Sequence, residues 1–142
     1  MERAAFGERF AYNWAAGMAG LGLFTATVVV SEQPRLFPLA AVAVVLALSS
    51  RFRRRALHDA GHPRRALEDE RDRAFLARGD RGFRTAASLW MVGIAFALAT
   101  GPVREPLLAQ PARLPGLLVL GVVVANVVGH LRVAGAYRRD RA

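Results

Sequence analysis

Cysteine is absent from this sequence, which excludes disulfides, thiol nucleophiles and cysteine-based zinc sites. Lysine is absent too: all 20 basic residues are Arg, against 11 acidic ones, for a net charge of +9. None of the long apolar stretches carries a carboxylate at its middle, which argues against a proton-coupled transporter, because such proteins rely on a titratable acid there. A Gly-rich phosphate loop is missing, since "GMAGLG" lies within an apolar run and not after a strand. Ser31, Ser49, Ser50 and Ser88 lack the His–Asp arrangement of a nucleophilic triad. Internal repeats and low-complexity tracts are absent as well.

What the sequence does contain is segregation. Of its 142 residues, 54% are hydrophobic and 22% charged, and the two classes fall in separate blocks. Four apolar runs stand out: Phe10 to Val30, Leu36 to Ser50, Thr85 to Gly101 and Leu114 to Leu131. A bilayer-spanning helix needs about 20 residues, with about 17 as a lower limit, so the middle two are short. Phe52 extends the second if Arg51 snorkels to the interface. Four helices that are apolar all round leave too little polar helix to cover them in a water-soluble fold. The sequence therefore predicts a single membrane domain over 1–142: all-α, polytopic, a four-transmembrane-helix bundle. The expected spans are 10–30, 36–52, 84–101 and 114–134, with a cytoplasmic hairpin at 53–83 that holds an amphipathic helix. The first run is long for a signal-peptide core and lacks a small-x-small cleavage pattern, so it is expected to be a retained helix.

Arginine sets the orientation. Successive crossings put the N-terminus, the 51–84 segment and the C-terminus on one side. That side holds Arg3, Arg9, eleven Arg between 51 and 84, and four between 132 and 141, whereas the other has Arg35, Arg104 and Arg113. The Arg-rich side is predicted to be cytoplasmic, in a bacterial inner membrane, with both termini inside. The same clustering beside apolar runs accounts for the basic charge without nucleic acid as a partner. On the opposite side, "SEQPR" reads as a tight turn and "PVREPLLAQPARLP" as an irregular loop.

The cytoplasmic segment opens with Arg51, Arg53, Arg54 and Arg55, placed to attract anionic lipid headgroups. Gly61 and Pro63 then break the chain. A helix is expected from about Leu67, its first turns crowded with Glu68, Asp69, Glu70 and Asp72, where the helix dipole favours negative charge. Asp69 with Arg73 and Asp80 with Arg84 are spaced as acid-first pairs. Gly79 and Gly82 weaken the helix, and a bend is predicted there before the third span. His58 and His62, with Asp59 nearby, make a candidate metal site, although Gly61 and Pro63 work against a regular helix at that point.

The stretch "EDERDRAFLARGDRGFRTA" running into a membrane helix resembles a group of small, uncharacterised prokaryotic membrane proteins. They have four predicted helices and a cytoplasmic Asp-Glu-Arg-Asp motif before the third, here Asp69, Glu70, Arg71 and Asp72. The resemblance implies no particular activity; it implies a structural clasp or a partner-docking element at those four residues.

Within the bilayer, Asn13, Asn126 and His130 are the candidate polar groups, for hydrogen bonds between helices or for a relay. Ala16 with Gly20, and Gly22 with Ala26, are small-residue pairs on the first run. Gly121, Ala125 and Gly129 form a longer stripe on the fourth, predicted to face protein, with Asn126 bonding across the contact. Val123, on a different face, is expected to tolerate Leu. No cofactor is implied. The leading expectation is a non-enzymatic membrane protein acting through protein or lipid contacts of its charged hairpin, with homo-oligomerisation open. The alternatives are a small oligomeric transporter or channel, and a metal-dependent enzyme using His58 and His62.

Overall fold

The computed structural model describes residues 6–31, 36–58 and 66–140, with side chains described for 10–31, 37–49 and 70–140. These residues form five α-helices: α1 (Phe6–Val30), α2 (Leu36–His58), α3 (Ala66–Ala99), α4 (Gly101–Leu108) and α5 (Arg113–Asp140). The chain is all-α over the described residues. Three helices have apolar stretches long enough to cross a membrane: Phe10–Val30, Glu70–Ala99 and Arg113–Asp140. The apolar part of α2, Phe37–Ser49, has 13 residues, about 20 Å at 1.5 Å per residue, against about 30 Å of hydrocarbon.

At the centre of the bundle is α5, which packs antiparallel to both α1 and α3. Near one end Ala11 of α1 and Phe75 of α3 cluster with Val133, Ala134, Ala136 and Tyr137 of α5. At the other end Val29 of α1, Leu39 of α2 and Ala112 pack together. The first of these is the charged end, where α1, α3 and their Arg-rich flanks begin and where α2 and α5 finish.

Two opposite faces of α5 are buried. Gly116 and Val123 meet α1: a Cβ at Gly116 would strike Val29, and one at Gly22 would lie 3.2 Å from Val123 Cγ1. Gly121 and Gly129 meet α3, the first under the Trp90 ring and the second beside Phe83 and the Gly79 carbonyl. Ala125, between them, is fully buried. The small-residue stripe thus faces protein, as its spacing predicts. Val123 does too: at 1% exposure it is no tolerant position. A single stripe implies one buried face, and α5 has two because it is held between two helices.

Gly79 and Gly82, where the sequence predicts a bend, do not interrupt the helix. Helix α3 runs unbroken for 34 residues, about 51 Å, so some 20 Å of it extends beyond a hydrocarbon core of about 30 Å. Both glycines are contact points against α5. A Cβ at Gly79 would meet Val133 and lie 3.1 Å from the Gly129 carbonyl oxygen, and one at Gly82 would meet the Arg132 side chain. Small residues at such crossings let backbones approach closely, and that packing outweighs the low helix propensity of Gly.

The Pro-rich connection also differs from the expected irregular loop. Thr100, in extended conformation (φ −95°, ψ 113°), interrupts the helix, and its carbonyl accepts the N–H groups of Val103 and Arg104 at 3.1 and 2.9 Å. Pro102 and Pro115 both stand in first turns, where a helix needs no N–H donor. The turn expected at "SEQPR" lies outside the described residues, apart from Ser31.

Hydroxyl groups along the apolar helices bond back to their own backbone. Thr25 Oγ1 donates to the Leu21 carbonyl at 2.8 Å, Thr27 to Phe24 at 2.7 Å, Ser31 to Val28 at 2.7 Å and Thr100 to Phe96 at 3.0 Å. Such bonds let a polar side chain sit in an apolar setting without an outside partner.

Candidate functional site

At the charged end, the N-terminal half of α3 is fastened to the last turns of α5. Tyr137 Oη donates a hydrogen bond to Asp72 Oδ1, and Arg71 forms an ion pair with Asp140. Phe75 meets the Tyr137 ring edge-on, with centroids 4.7 Å apart and planes at 72°. The Arg71 and Arg78 guanidinium groups lie 5.5 and 5.7 Å from the Phe75 centroid, within cation–π range. The Arg71–Asp140 pair is about half exposed, so screening leaves it little intrinsic stabilisation. The buried Phe75–Tyr137 contact and the Asp72–Tyr137 bond carry more.

The Asp69–Asp72 group is therefore divided. Arg71 and Asp72 engage α5, Glu70 is exposed, and the Asp69 side chain lies outside the described residues. Of the two acid-first pairs, that of Asp69 cannot be followed for the same reason. In the other, Arg84 Nε donates to the backbone carbonyl of Asp80 at 3.4 Å. His58 belongs to α2 but its side chain, like the whole of His62, is outside the described residues, and the candidate metal pair with it. Among the described residues no group of three or more potential ligands stands together.

With Arg71, Asp72, Phe75 and Gly79 turned to α5, the outer side of α3 presents Glu70, Ala77, Arg81 and Arg84. Arg138 and Arg139 are exposed on the neighbouring end of α5. The charged end is thus a two-helix arm, fixed on its inner side and basic on its outer side.

A second feature lies deeper, where the four long helices meet. A cavity of about 330 Å³ is lined by Trp14 of α1, Ser49 of α2, Asp80 and Phe83 of α3, and Asn126 and His130 of α5, among others. Each of these helices contributes a polar or aromatic side chain. His130 is 7% exposed and stacks on Trp14, with ring centroids 6.1 Å apart and planes at 24°. Asn126 Nδ2 donates to the Val122 carbonyl of its own helix at 2.8 Å. This corrects the expected bond across the stripe: Asn126 points toward the cavity, where back-bonding is the nearest option. Asn13 is exposed and lines a neighbouring groove.

Asp80 is the residue that sequence reasoning misses. Read as the acid-first partner of Arg84, it is exposed at the surface and also lines the cavity with His130 and Asn126. Its spacing from Phe83 and Gly79 held the signal, since Gly79 and Phe83 both pack on α5 and Asp80 lies next to them.

Searches of protein-family models, curated proteins and solved structures find no match to this chain.

Proposed function

We propose that the chain is a four-span inner-membrane protein with its charged end in the cytoplasm, acting by contact and not by catalysis. The observation that supports this reading most is the divided arm. Its inner side is consumed by Tyr137, Asp140 and Phe75, which hold it in one orientation, while Arg81, Arg84, Arg138 and Arg139 remain on the outer side. A fixed basic face suits an acidic protein surface, because complementary charge steers encounter and sets register. In this reading Arg71 and Asp72 are the clasp and the outer face is the docking surface, so the resemblance at Asp69–Asp72 reflects positioning of the arm. The Arg asymmetry between the two ends supports the orientation, and α2 completes the fourth crossing with its Arg-rich C-terminal part at the interface.

A photo-crosslinking residue at Ala77, which shares the outer face, tests the proposal in cells. One discrete cytoplasmic protein adduct is expected, lost when Arg81 and Arg84 are both changed to Glu. Adducts to lipid alone, or an adduct indifferent to the double change, would refute docking through this face. The cavity favours a second reading, a small transporter, which a solute flux in proteoliposomes would select.

A further inference from the structure

The cavity among the four long helices offers three kinds of surface. Trp14 and the buried His130 stack with their planes at 24°, and the Phe83 ring shares the lining with them. Met18 and Leu46 add aliphatic surface, and Asn126 and Ser49 add neutral polar atoms. Asn126 is held in one orientation by the bond from its Nδ2 to the Val122 carbonyl. That bond uses one amide hydrogen, which leaves a second N–H and the carbonyl oxygen for a molecule in the cavity. Ser49 brings a hydroxyl, which donates or accepts. The volume of about 330 Å³ is roughly twice the 150 Å³ in which an apolar protein interior takes up benzene. Small-molecule sites commonly have this form: a pocket of about 300 to 1,000 Å³ between the helices of a bundle, mostly apolar or aromatic, with a few polar groups that fix orientation.

We propose that this cavity binds an uncharged aromatic molecule of one or two rings that carries hydrogen-bonding oxygen atoms, the chemistry of a naphthoquinone head. The ring packs among Trp14, His130 and Phe83, since aromatic rings pair well in offset or edge-on arrangements. Its oxygen atoms meet Asn126 and Ser49. Those two side chains and the Trp14 and Phe83 rings carry no charge, so an ion would give up its water without a counter-charge from them. Asp80 stands exposed at the cavity edge with another interaction of its own, and it holds nothing in this assignment. The site shares no residue with the outer face of the arm, and it stands whether or not a partner docks there.

Menadione, a two-ring naphthoquinone that quenches tryptophan on contact, is the probe. The chain has no cysteine with which it could form an adduct, and only two tryptophans, so Trp90→Phe leaves Trp14 as the sole Trp reporter. In detergent, quenching of Trp14 should saturate at one menadione per chain. 2-Methylnaphthalene, the same carbon skeleton without the oxygen atoms, should displace bound menadione only at about fivefold higher concentration, the order of one neutral hydrogen bond. Asn126→Leu should weaken menadione binding by a similar factor, and Ser49→Leu, which fills the cavity, should abolish saturation. The charged 1,4-naphthoquinone-2-sulfonate should give no saturable quenching. Quenching that rises without saturation, equal displacement by the hydrocarbon, or saturable binding of the sulfonate would each overturn the proposal in the unfilled chain. So would unchanged binding by Asn126→Leu or Ser49→Leu in a variant of native helicity.

Discussion

Gly79, Gly121 and Gly129 lie in the α3–α5 seam and each faces another helix within touching distance. Gly17 and Gly20, in the groove between α1 and α2, and Gly93, on the exposed side of α3, face nothing within 4 Å. None of the described glycines has a positive φ, so backbone freedom does not separate the two sets. Space does. In the seam, a missing side chain lets two backbones meet, and dispersion over the long contact holds them together. Elsewhere the same absence leaves open space. The residue type alone carries neither meaning; the neighbour decides.

The largest expected effect comes from breaking the seam at its closest point. The Cβ positions of Gly79 and Gly129 would lie 3.1 and 3.2 Å from the carbonyl oxygen of the opposite glycine. Backbone atoms cannot swing aside, so Gly129→Leu must separate the helices. A cost near the upper end of the overpacking range, about 3 kcal/mol, is expected. Unfolding in mixed detergent would measure it, and a loss smaller than that of Ala125→Leu would show the seam to be looser than this.

Gly121→Ala should come next, and its mechanism has its own signature. The Trp90 ring lies directly over Gly121, and its Nε1 donates to the Leu117 carbonyl at 2.9 Å. A methyl group at 121 pushes the ring away and breaks that bond, which in a membrane is worth about 0.6 kcal/mol on average. Overpacking adds about 1 to 2 kcal/mol. Changed Trp90 emission should accompany the destabilisation in a Trp14→Phe background. Lower stability with unaltered emission would mean that the ring was not displaced.

Val123→Leu and Ala125→Leu test whether α5 is held from both sides. Both positions are almost fully buried, so each is expected to cost about 1 to 3 kcal/mol. A silent Val123→Leu would restore the single-faced helix that the stripe alone implies.

Much of this fold is legible in the sequence because a simple rule applies: a long apolar run of the length that spans a bilayer is expected to be a helix. That rule locates α1, the second half of α3 and α5, and it leaves α2 marginal by length. It says nothing about which faces touch. The Gly121–Gly129 stripe reads correctly because close approach needs small residues. Gly79 and Gly82, next to so many charges, read only as weak points in the helix, and their role as contacts with α5 is not visible in the sequence. The clasp was half legible. Arg71 and Asp72 stand out as a group, but Tyr137 and Asp140 lie some 65 residues away in sequence, and only the antiparallel pairing brings them together. Asp80 was hidden by an equally good local partner at the i+4 position.

The smallest expected effect, and the control for the whole comparison, is Gly93→Ala. Gly93 is exposed on the apolar half of α3, between Trp90, which packs on α5, and Phe96, which is 75% exposed. A Cβ there meets nothing. An added methyl therefore costs no packing and restricts the unfolded backbone, a gain of at most about 1 kcal/mol by helix propensity. Stability should be unchanged or slightly raised, opposite in sign to Gly121→Ala on the same helix pair. Because both changes add one methyl group, their difference isolates the neighbouring helix as the cause. A loss of stability in Gly93→Ala, accompanied by a smaller particle in size-exclusion chromatography, would show that a second copy of the chain packs against this side of α3. The outer glycines would then belong to a seam as well, one between subunits, and the contrast between the two sets would fall.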